Sequence, residues 1–339
     1  LALGAVASTC PSKLGAGQHT VRLQLPDAAD PSIVWERAFD VVVPASRRRS
    51  RRPALFMWHG CGSDPEKFRL ESEMHLRASQ SRWHWFTVWP RGTSASLTPA
   101  TQHTCVSTDA VSCGWNSAVP GPGGCDVPTS PYPDDVAFAS AILDWMGANL
   151  CLDEQRIFTA GFSNGGSMTC KLHLHRPLCV RLTRACRATD KLNCELPAPF
   201  AGIMTLGSAA SAAATPGGAV GCAPAKNLPA LNMCGSADSC YGAEGGSLRS
   251  QLTSWAAWNN CSGTIVETEL STTSYCLIAE GCPAALPVQA CAVRGLGHCW
   301  PNVPGAGDAP CQNQDPENMD ASSYVLSFFA SVEPAGGRP

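Results

Sequence analysis

The sequence predicts an α/β fold in which helices cover both faces of a mostly parallel central sheet. A continuous apolar run at residues 54–58 is typical of a strand that is buried on both faces of such a sheet, and residues 85–90 are predicted to form the next buried strand. A helical pattern over residues 135–149 precedes a strand-like run at 156–160, which is the element order of a βαβ unit. A Gly-x-Ser-x-Gly turn at 161–165 then leads into another helical segment, and this order indicates a sharp strand-to-helix elbow.

The remaining elements are predicted from hydrophobic periodicity and from the turn residues between the periodic segments. Alternating polar and apolar residues at 19–25 and 33–43 predict an antiparallel pair of strands at one edge of the sheet. Further strands are predicted at 201–206, 228–233 and 288–293. Two more helices are predicted at 247–259 and 320–330, where apolar residues recur with helical spacing.

Charge and hydropathy argue against two classes of partner. The chain has 339 residues, a formal net charge of −3 and 15% charged residues, so it offers no general attraction for nucleic acid or for an anionic membrane. It has no apolar run of about 18 residues, so we expect a protein that is not embedded in a membrane. The basic run at 47–52 is compatible with a processing or polyanion site, but a solvated loop between strands is the favoured interpretation.

Nineteen cysteines, spread from Cys10 to Cys311, indicate an oxidising compartment. The paired Cys-x-x-Cys spacing of zinc modules does not occur, so we expect up to nine disulfides and one leftover thiol in a secreted protein. Residues 1–7 are typical of the end of a signal peptide, and Asn260 begins a glycosylation sequon, which also agrees with secretion. The candidate short disulfide loops are Cys113 with Cys125, Cys276 with Cys282, and Cys299 with Cys311.

Ser163, in the middle of the Gly-x-Ser-x-Gly turn, is the expected nucleophile. In α/β-hydrolases this turn lifts the serine hydroxyl from the sheet edge and places the N-terminus of the next helix beneath it. The strand at 54–58 ends in a glycine-bearing loop, in which the backbone N–H of Cys61 is expected to join that of Asn164 in an oxyanion hole. His59, in the same loop, is interpreted as structural.

The catalytic base is selected by elimination among the histidines that follow Ser163. His173 and His175 lie ten and twelve residues along the helix that starts at the elbow, about 15–18 Å away, so they cannot reach the serine. His298 lies in a Gly-rich loop just after the strand predicted at 288–293, and it is the expected base. Asp238 is the expected acid because it closely follows a buried strand, and Glu244 is the reserve candidate.

Two further interpretations complete the expected site. Trp115, in the long loop of residues 91–133, and Trp300, next to the His298 loop, are expected to contact substrate. The side chains of Cys170, His173, His175 and Cys179 lie close in sequence, but disulfides and surface histidines explain them better than a metal site does. We therefore expect no metal and no cofactor.

Six motifs resemble secreted feruloyl esterases and poly(3-hydroxybutyrate) depolymerase-like esterases of carbohydrate esterase family 1. They are Trp58-His59-Gly60-Cys61, Trp89-Pro90-Arg91-Gly92, Cys113-Gly114-Trp115-Asn116, Asp134-Asp135-Val136, Gly161-Phe162-Ser163-Asn164-Gly165-Gly166 and Gly297-His298-Cys299-Trp300-Pro301. The resemblance implies an α/β-hydrolase fold without a cofactor, with Ser163, Asp238 and His298 as the triad. The segment after Asp238 departs from the Val-Pro-Tyr of many relatives, because it runs Ser239-Cys240-Tyr241.

These observations predict a secreted serine carboxylesterase that works through an acyl-enzyme. A feruloyl or acetyl ester of the plant cell wall is the preferred substrate, and a polyhydroxyalkanoate or other polyester is the alternative. A binding module with the same fold and no catalysis is the alternative from another class of protein. We expect residues 19–333 to form one α/β-hydrolase catalytic domain with stapled insertions at about 91–133 and 177–200, after a signal-peptide remnant and N-terminal extension at 1–18.

Overall fold

The structure is a computed structural model that describes most of the chain. The described residues are 10, 13–27, 30–45, 50–94, 113–115, 134–174, 200–208, 227–301, 303, 311 and 314–332, without the side chains of 94 and 170–174. The strands are β1 (Gly17–Pro26), β2 (Val34–Val43), β3 (Arg52–Trp58), β4 (Phe86–Pro90), β5 (Thr93–Ser94), β6 (Cys113–Gly114), β7 (Leu152–Phe162), β8 (Gly202–Leu206), β9 (Ala230–Gly235), β10 (Ile265–Glu269), β11 (Ser274–Ala279) and β12 (Val288–Val293). The helices are α1 (Pro65–Ser72), α2 (Met74–Gln80), α3 (Asp135–Asn149), α4 (Asn164–Leu174), α5 (Gly246–Trp258) and α6 (Ala321–Ser331).

A ten-stranded sheet in the order β1-β2-β4-β3-β7-β8-β9-β12-β11-β10 forms the centre of the described fold. The six strands from β4 to β12 in this order pair in parallel, whereas β1, β2, β11 and β10 pair antiparallel at the two edges. The arrangement confirms the predicted α/β fold, including the antiparallel pair at one edge. It also brings the carboxyl ends of the parallel strands to one side of the sheet, where open α/β sheets bind their ligands.

Both faces of the sheet are buried at β3, as the continuous apolar run at 54–58 predicts. Leu55 and Met57 of β3 pack into a core that includes residues of α1, α2 and α6. Phe56 and Trp58 point to the opposite face, where they join a second core with residues of α3. A strand that alternates between two apolar cores needs apolar residues at every position, and this requirement explains the unbroken run.

The predicted segments coincide with observed elements, but six of the helices and strands named above were not predicted. The helix at 135–149 and the strand at 288–293 have the expected bounds, whereas α1, α2, β5, β6, β10 and β11 were missed. A local signal for α1 was present, since Asp64 accepts the N–H groups of Glu66 and Lys67 and proline occupies the first turn. The exposed edge strand β10 lacks such a signal, because it has no buried face to impose alternation.

Five disulfides join cysteines of the described part of the chain. They are Cys10–Cys151, Cys234–Cys240, Cys261–Cys282, Cys276–Cys291 and Cys299–Cys311. The Cys299–Cys311 prediction is confirmed, and the pairing of Cys276 with Cys282 is wrong. The antiparallel register of β11 and β12 places Cys276 directly opposite Cys291, which decides the partner.

Several sequence expectations fall outside the described residues. Cys125, the expected partner of Cys113, lies there, although Cys113 and Cys61 are both disulfide-bonded. The segment at 1–9 and most of the expected insertions at 91–133 and 177–200 also lie there. Within the described chain, no helix is both long and apolar enough to cross a bilayer.

Candidate active site

Ser163 lies at the elbow between β7 and α4, in a left-handed backbone conformation with φ 57°. Its N–H donates to the carbonyl of Leu206 on the neighbouring strand β8, with an N···O distance of 2.8 Å. A Cβ at Gly161 would overlap the carbonyl of Gly165, and a Cβ at Gly165 would overlap the carbonyl of Trp58. Glycine is therefore required on both sides of the serine because backbone crosses at these positions.

His298 and Asp238 meet because they follow neighbouring parallel strands. Asp238 comes after β9 and His298 after β12, and the carboxyl ends of these paired strands lie side by side. Nδ1 of His298 lies 2.7 Å from Oδ2 of Asp238. The aspartate side chain is 4% exposed and the histidine side chain 46%, so the imidazole is open to solvent while its carboxylate partner is covered.

The surroundings of Asp238 favour its charged form. Burial opposes ionisation, but hydrogen bonds from His298, from the backbone N–H of Cys240 and from the Ser239 hydroxyl hold the pKa of the carboxyl below its usual value. An ionised carboxylate accepts the proton of His298 Nδ1, so the lone pair of Nε2 is left for a reaction partner. The reserve candidate, Glu244, lies in the 3₁₀ turn Ala243–Gly245 and is exposed.

The imidazole of His298 packs against the residues that flank Ser163. The ring of Phe162 lies 4.7 Å from the imidazole, centroid to centroid. Gly207 follows Leu206, which binds the Ser163 N–H, and a Cβ added to Gly207 would lie 3.0–3.1 Å from two imidazole atoms. Among the hydrogen bonds of the described residues, none joins the Ser163 hydroxyl to His298, and such contacts often tighten only when substrate binds.

The loop after β3 lies against Ser163. A Cβ added to Gly60 would lie 3.2 Å from Cβ of Ser163, and the N–H of Gly62 donates to the carbonyl of Cys113 at 2.8 Å. Cys61 lies between these two glycines, and Asn164 begins α4 directly after the serine. Their backbone N–H groups remain the predicted oxyanion donors.

A buried hydrogen-bond network, which the sequence did not reveal, fixes this loop. His59 is fully buried; its Nε2 accepts the N–H of Gly92 at 3.0 Å, and its Nδ1 lies 2.8 Å from the carbonyl of Gly60. Burial lowers the pKa of His59 to about 4, so the ring is neutral and Nδ1 is the donor. The structural interpretation of His59 therefore agrees with its surroundings.

Trp115 and Asn164 extend the network. The indole N–H of Trp115 donates to the carbonyl of His59 at 2.9 Å. The side-chain amide of Asn164 pairs with the backbone of Trp115 on both sides, with distances of 2.8 Å to its nitrogen and 3.3 Å to its carbonyl oxygen. The loop after β3, the β5–β6 ribbon and helix α4 after Ser163 are thereby connected.

The two tryptophans that were expected to contact substrate are packed inside the protein instead. Trp115 is 1% exposed, and Trp300 is 4% exposed, with its indole N–H on the hydroxyl of Ser322 at 3.0 Å. The ring of Trp300 also packs against Phe68 at 5.3 Å. Neither has an open face for a ligand, since tryptophan supplies a large apolar ring to the core wherever its N–H finds a partner.

Cys234, Asp238 and Cys240 lie close enough together to form a metal-ligand set. The two sulfurs are bonded to each other, which leaves a single carboxylate and so does not fit a metal ion. The sequence cluster at 170–179 lies outside the part of the structure in which side chains are described.

The sheet, the elbow and the loops at its carboxyl edge define an α/β-hydrolase fold. The structure is similar to an acetyl xylan esterase from Aspergillus awamori, with a TM-score of 0.51 and 13% identity over 92% of this chain and 99% of that one. It is also similar to native sOPH, with a TM-score of 0.52 and 17% identity over 96% of this chain and 91% of that one. These likenesses confirm the fold.

In sequence, the chain is 26% identical to feruloyl esterase B of Piromyces equi over 179 residues. The match covers 49% of this chain but only 29% of that enzyme. No protein-family model matches the chain. The expected resemblance to carbohydrate esterases is therefore confirmed, at low identity.

Proposed function

We propose that this protein is a carboxylic-ester hydrolase in which Ser163, His298 and Asp238 act as the catalytic triad. The 2.7 Å contact between His298 and Asp238, beside a serine on a strained elbow, is the observation that carries this proposal. The feruloyl esterase and acetyl xylan esterase among the similar proteins support ester hydrolysis. Strained backbone of this kind concentrates at functional sites.

In the proposed reaction, His298 Nε2 takes the hydroxyl proton of Ser163 while the serine oxygen bonds to the ester carbonyl carbon. The backbone N–H groups of Cys61 and Asn164 stabilise the resulting oxyanion. His298 then gives the proton to the leaving alcohol, and the acyl-enzyme forms. Water attacks this ester by the same route and releases the acid, while the Asp238 carboxylate stabilises the imidazolium in both halves.

A feruloyl ester of the plant cell wall is the proposed substrate. The support is the similarity to feruloyl esterase B, with the limited coverage given above. The disulfides of the described chain agree with a secreted protein that acts outside the cell. A polyester such as polyhydroxyalkanoate is the alternative substrate, and the substrate test must distinguish it from a feruloyl ester.

Labelling with a fluorophosphonate tests the catalytic proposal. The probe should attach to the wild-type chain, and S163A should carry no label because the nucleophilic oxygen is missing. H298A should label at least about 100-fold more slowly, since general-base assistance is lost. Equal labelling of the wild type and H298A, or an adduct that persists in S163A, would show that the chain is a binding module of this fold.

Substrate preference is tested separately, on wild-type enzyme that has not been treated with the probe. Initial rates on methyl ferulate are compared with those on 3-hydroxybutyrate oligomers, with p-nitrophenyl acetate as the reference for ester chemistry. Preference for methyl ferulate supports the proposal. Activity on p-nitrophenyl acetate with a preference for the oligomers contradicts the substrate and leaves the chemistry intact.

A further inference from the structure

Trp115 hydrogen-bonds to both of the segments that carry the predicted oxyanion donors. Its indole N–H donates to the carbonyl of His59, in the loop after β3. Its backbone pairs with the side-chain amide of Asn164, the first residue of α4. The residue is 1% exposed. The tryptophan that was expected to contact substrate therefore connects the two halves of the predicted oxyanion hole from inside the protein.

The loop after β3 lies across the first turn of α4. A Cβ added to Gly165 would lie 2.5 Å from the carbonyl oxygen of His59, and one added to Gly60 would lie 3.2 Å from Cβ of Ser163. Backbone thus approaches backbone at Gly165 more closely than any side chain would allow. The predicted oxyanion donors belong to these two pieces of main chain, so the distance between the donors depends on how the loop sits on the helix.

The direction of the Cys61 N–H is fixed through the carbonyl of Gly60. In a trans peptide, the C=O of one residue and the N–H of the next point in opposite directions. The Gly60 carbonyl oxygen lies 2.8 Å from Nδ1 of His59, and it accepts the N–H of Ser63 at 3.2 Å. These two donors hold the peptide plane that carries the Cys61 N–H, so its direction follows the position of His59.

The position of His59 depends in turn on Trp115. The carbonyl of His59 accepts the indole N–H at 2.9 Å, and the two rings lie 4.9 Å apart, centroid to centroid. Both residues are buried, and a buried carbonyl that loses its donor raises the free energy of the fold. Without the indole N–H, we expect the His59 carbonyl to shift and to carry the peptide between Gly60 and Cys61 with it.

The helix side of the oxyanion hole is held through the side chain of Asn164. Its Oδ1 accepts the Trp115 N–H at 2.8 Å, and its Nδ2 donates to the Trp115 carbonyl at 3.3 Å. Trp115 directly follows β6, and the carbonyl of Cys113 in β6 accepts the N–H of Gly62 at 2.8 Å. The β5–β6 ribbon and Trp115 thereby hold both the loop after β3 and the start of α4.

We propose that Trp115 is a positioning residue for ester hydrolysis, because it holds the N–H groups of Cys61 and Asn164 at the separation that one oxyanion requires. This inference rests on the function proposed above, since it assigns a role within the same reaction. Negative charge develops on the substrate oxygen only as Ser163 attacks the carbonyl carbon. Trp115 therefore acts on the transition state and leaves the binding of the uncharged ester unchanged.

The variant W115F tests this role, because it removes the indole N–H and keeps an aromatic ring in the core. On p-nitrophenyl acetate, kcat should fall about tenfold or more with a nearly constant KM. Phenylboronic acid mimics the tetrahedral intermediate by forming an anionic adduct with the serine oxygen, and its inhibition constant should rise by a similar factor. Each kcat is divided by the concentration of sites that fluorophosphonate labels in a separate sample, so loss of folded enzyme does not count as loss of kcat.

The variant N164A tests the other end of the connection. It removes both amide hydrogen bonds to Trp115 and keeps the backbone N–H of residue 164. Its kcat should also fall about tenfold. The double variant W115F/N164A should lose less than the product of the two single losses, because both substitutions break the same connection. A loss equal to that product would contradict a shared role.

The matched control is W35F. Trp35 is 2% exposed, its indole N–H donates to Asp27 at 2.9 Å, and it lies in β2, three strands from β7 in the sheet. W35F should be less stable than the wild type but should keep its kcat and its inhibition constant. Wild-type kinetics in W115F, equal losses of kcat in W115F and W35F, or a lower kcat in W115F with an unchanged inhibition constant overturns the proposal. A wild-type chain that neither labels nor hydrolyses p-nitrophenyl acetate overturns the proposed function itself, and this inference with it.

Discussion

Ser163 combines a proposed chemical task with an unfavourable backbone conformation. Its φ of 57° lies in the left-handed region, which costs a residue with a Cβ about 1–2 kcal/mol. The surrounding chain enforces this conformation, because the Ser163 N–H is held by Leu206 and the flanking glycines are packed against backbone. The free-energy cost of this left-handed conformation can be measured by comparing the stabilities of variants at position 163.

Substitution of Ser163 should therefore separate strain from chemistry. We expect S163G to have a free energy of unfolding about 1 kcal/mol higher than S163A, because glycine accepts the left-handed conformation and alanine does not. Both variants lack the hydroxyl and should be inactive. Urea denaturation of the two variants measures the difference, and equal stabilities would show that the elbow is not strained.

Gly207 positions the imidazole of His298 by leaving space for it. Its φ is 62°, and an added Cβ would lie 2.9 Å from the Phe162 ring and 3.0 Å from the imidazole. G207A should displace His298 and lower kcat about tenfold or more with a small change in KM. Steady-state kinetics measures the effect.

Gly147 offers the matched control for that substitution. It lies in α3 with nothing within 4 Å of an added Cβ. G147A should keep the wild-type kcat and gain about 1 kcal/mol of stability, because alanine favours the helix. If G207A also keeps the wild-type kcat, Gly207 has no part in positioning His298.

Disulfides hold the two loops that carry the proposed acid and base. Cys234, near the end of the buried strand β9, is joined to Cys240, so the bridge encloses the turn with Asp238. The backbone N–H of Cys240 also binds the Asp238 carboxylate. Cys299 follows His298 directly and is joined to Cys311, whose sulfur lies 3.7 Å from the His298 carbonyl oxygen.

The double variant C234S/C240S should lose activity beyond its loss of stability. We expect kcat to fall about tenfold with a nearly constant KM, since a looser loop weakens the alignment of Asp238 with His298. The control C261S/C282S removes a bridge between the end of α5 and the β11–β12 connection, and should lower the melting temperature but keep kcat. Steady-state kinetics of both double variants, measured well below their melting temperatures, tests this prediction. Equal losses of kcat in the two variants would contradict a specific role of the Cys234–Cys240 bridge in aligning Asp238.

Stability of the whole molecule should depend on pH through buried His59. The pKa of His59 is about 4 in the folded protein, against about 6.5 for an ordinary histidine. Between these pH values His59 is therefore protonated in the unfolded chain and neutral in the folded chain. Stability contributed by neutral His59 is fully present above about pH 6.5 and is lost as the pH falls towards 4. The pKa of Asp238 is lowered, so its contribution is lost only below about pH 3.9, outside that window.

Denaturation at pH 7 and pH 4.5 measures this dependence. The wild type should lose on the order of 2–3 kcal/mol of unfolding free energy through His59 between these values. H59Q should start lower at pH 7, because the Gly92 contact is altered, but should lose less on acidification. His75, whose pKa burial also lowers to about 4, contributes equally in both proteins and cancels in the comparison. Equal losses of unfolding free energy in the wild type and H59Q would show that His59 does not cause the pH dependence.

Features that depend on neighbouring residues in the chain were predictable. The unbroken apolar runs, the helix at 135–149 and the glycine elbow follow from side-chain periodicity and from backbone sterics, which act over a few residues. The order of elements along the chain then placed Ser163, Asp238 and His298 at the same edge of the sheet. Parallel strands oblige their carboxyl ends to meet there, so three distant residues could be selected without coordinates.

Features that depend on which segments pack together were settled by folding in three dimensions. The partner of Cys276 follows from the register of two strands, and the burial of Trp115 follows from the loops around His59. Strand register and loop packing are fixed by contacts across the whole core, and no local pattern of residues encodes them.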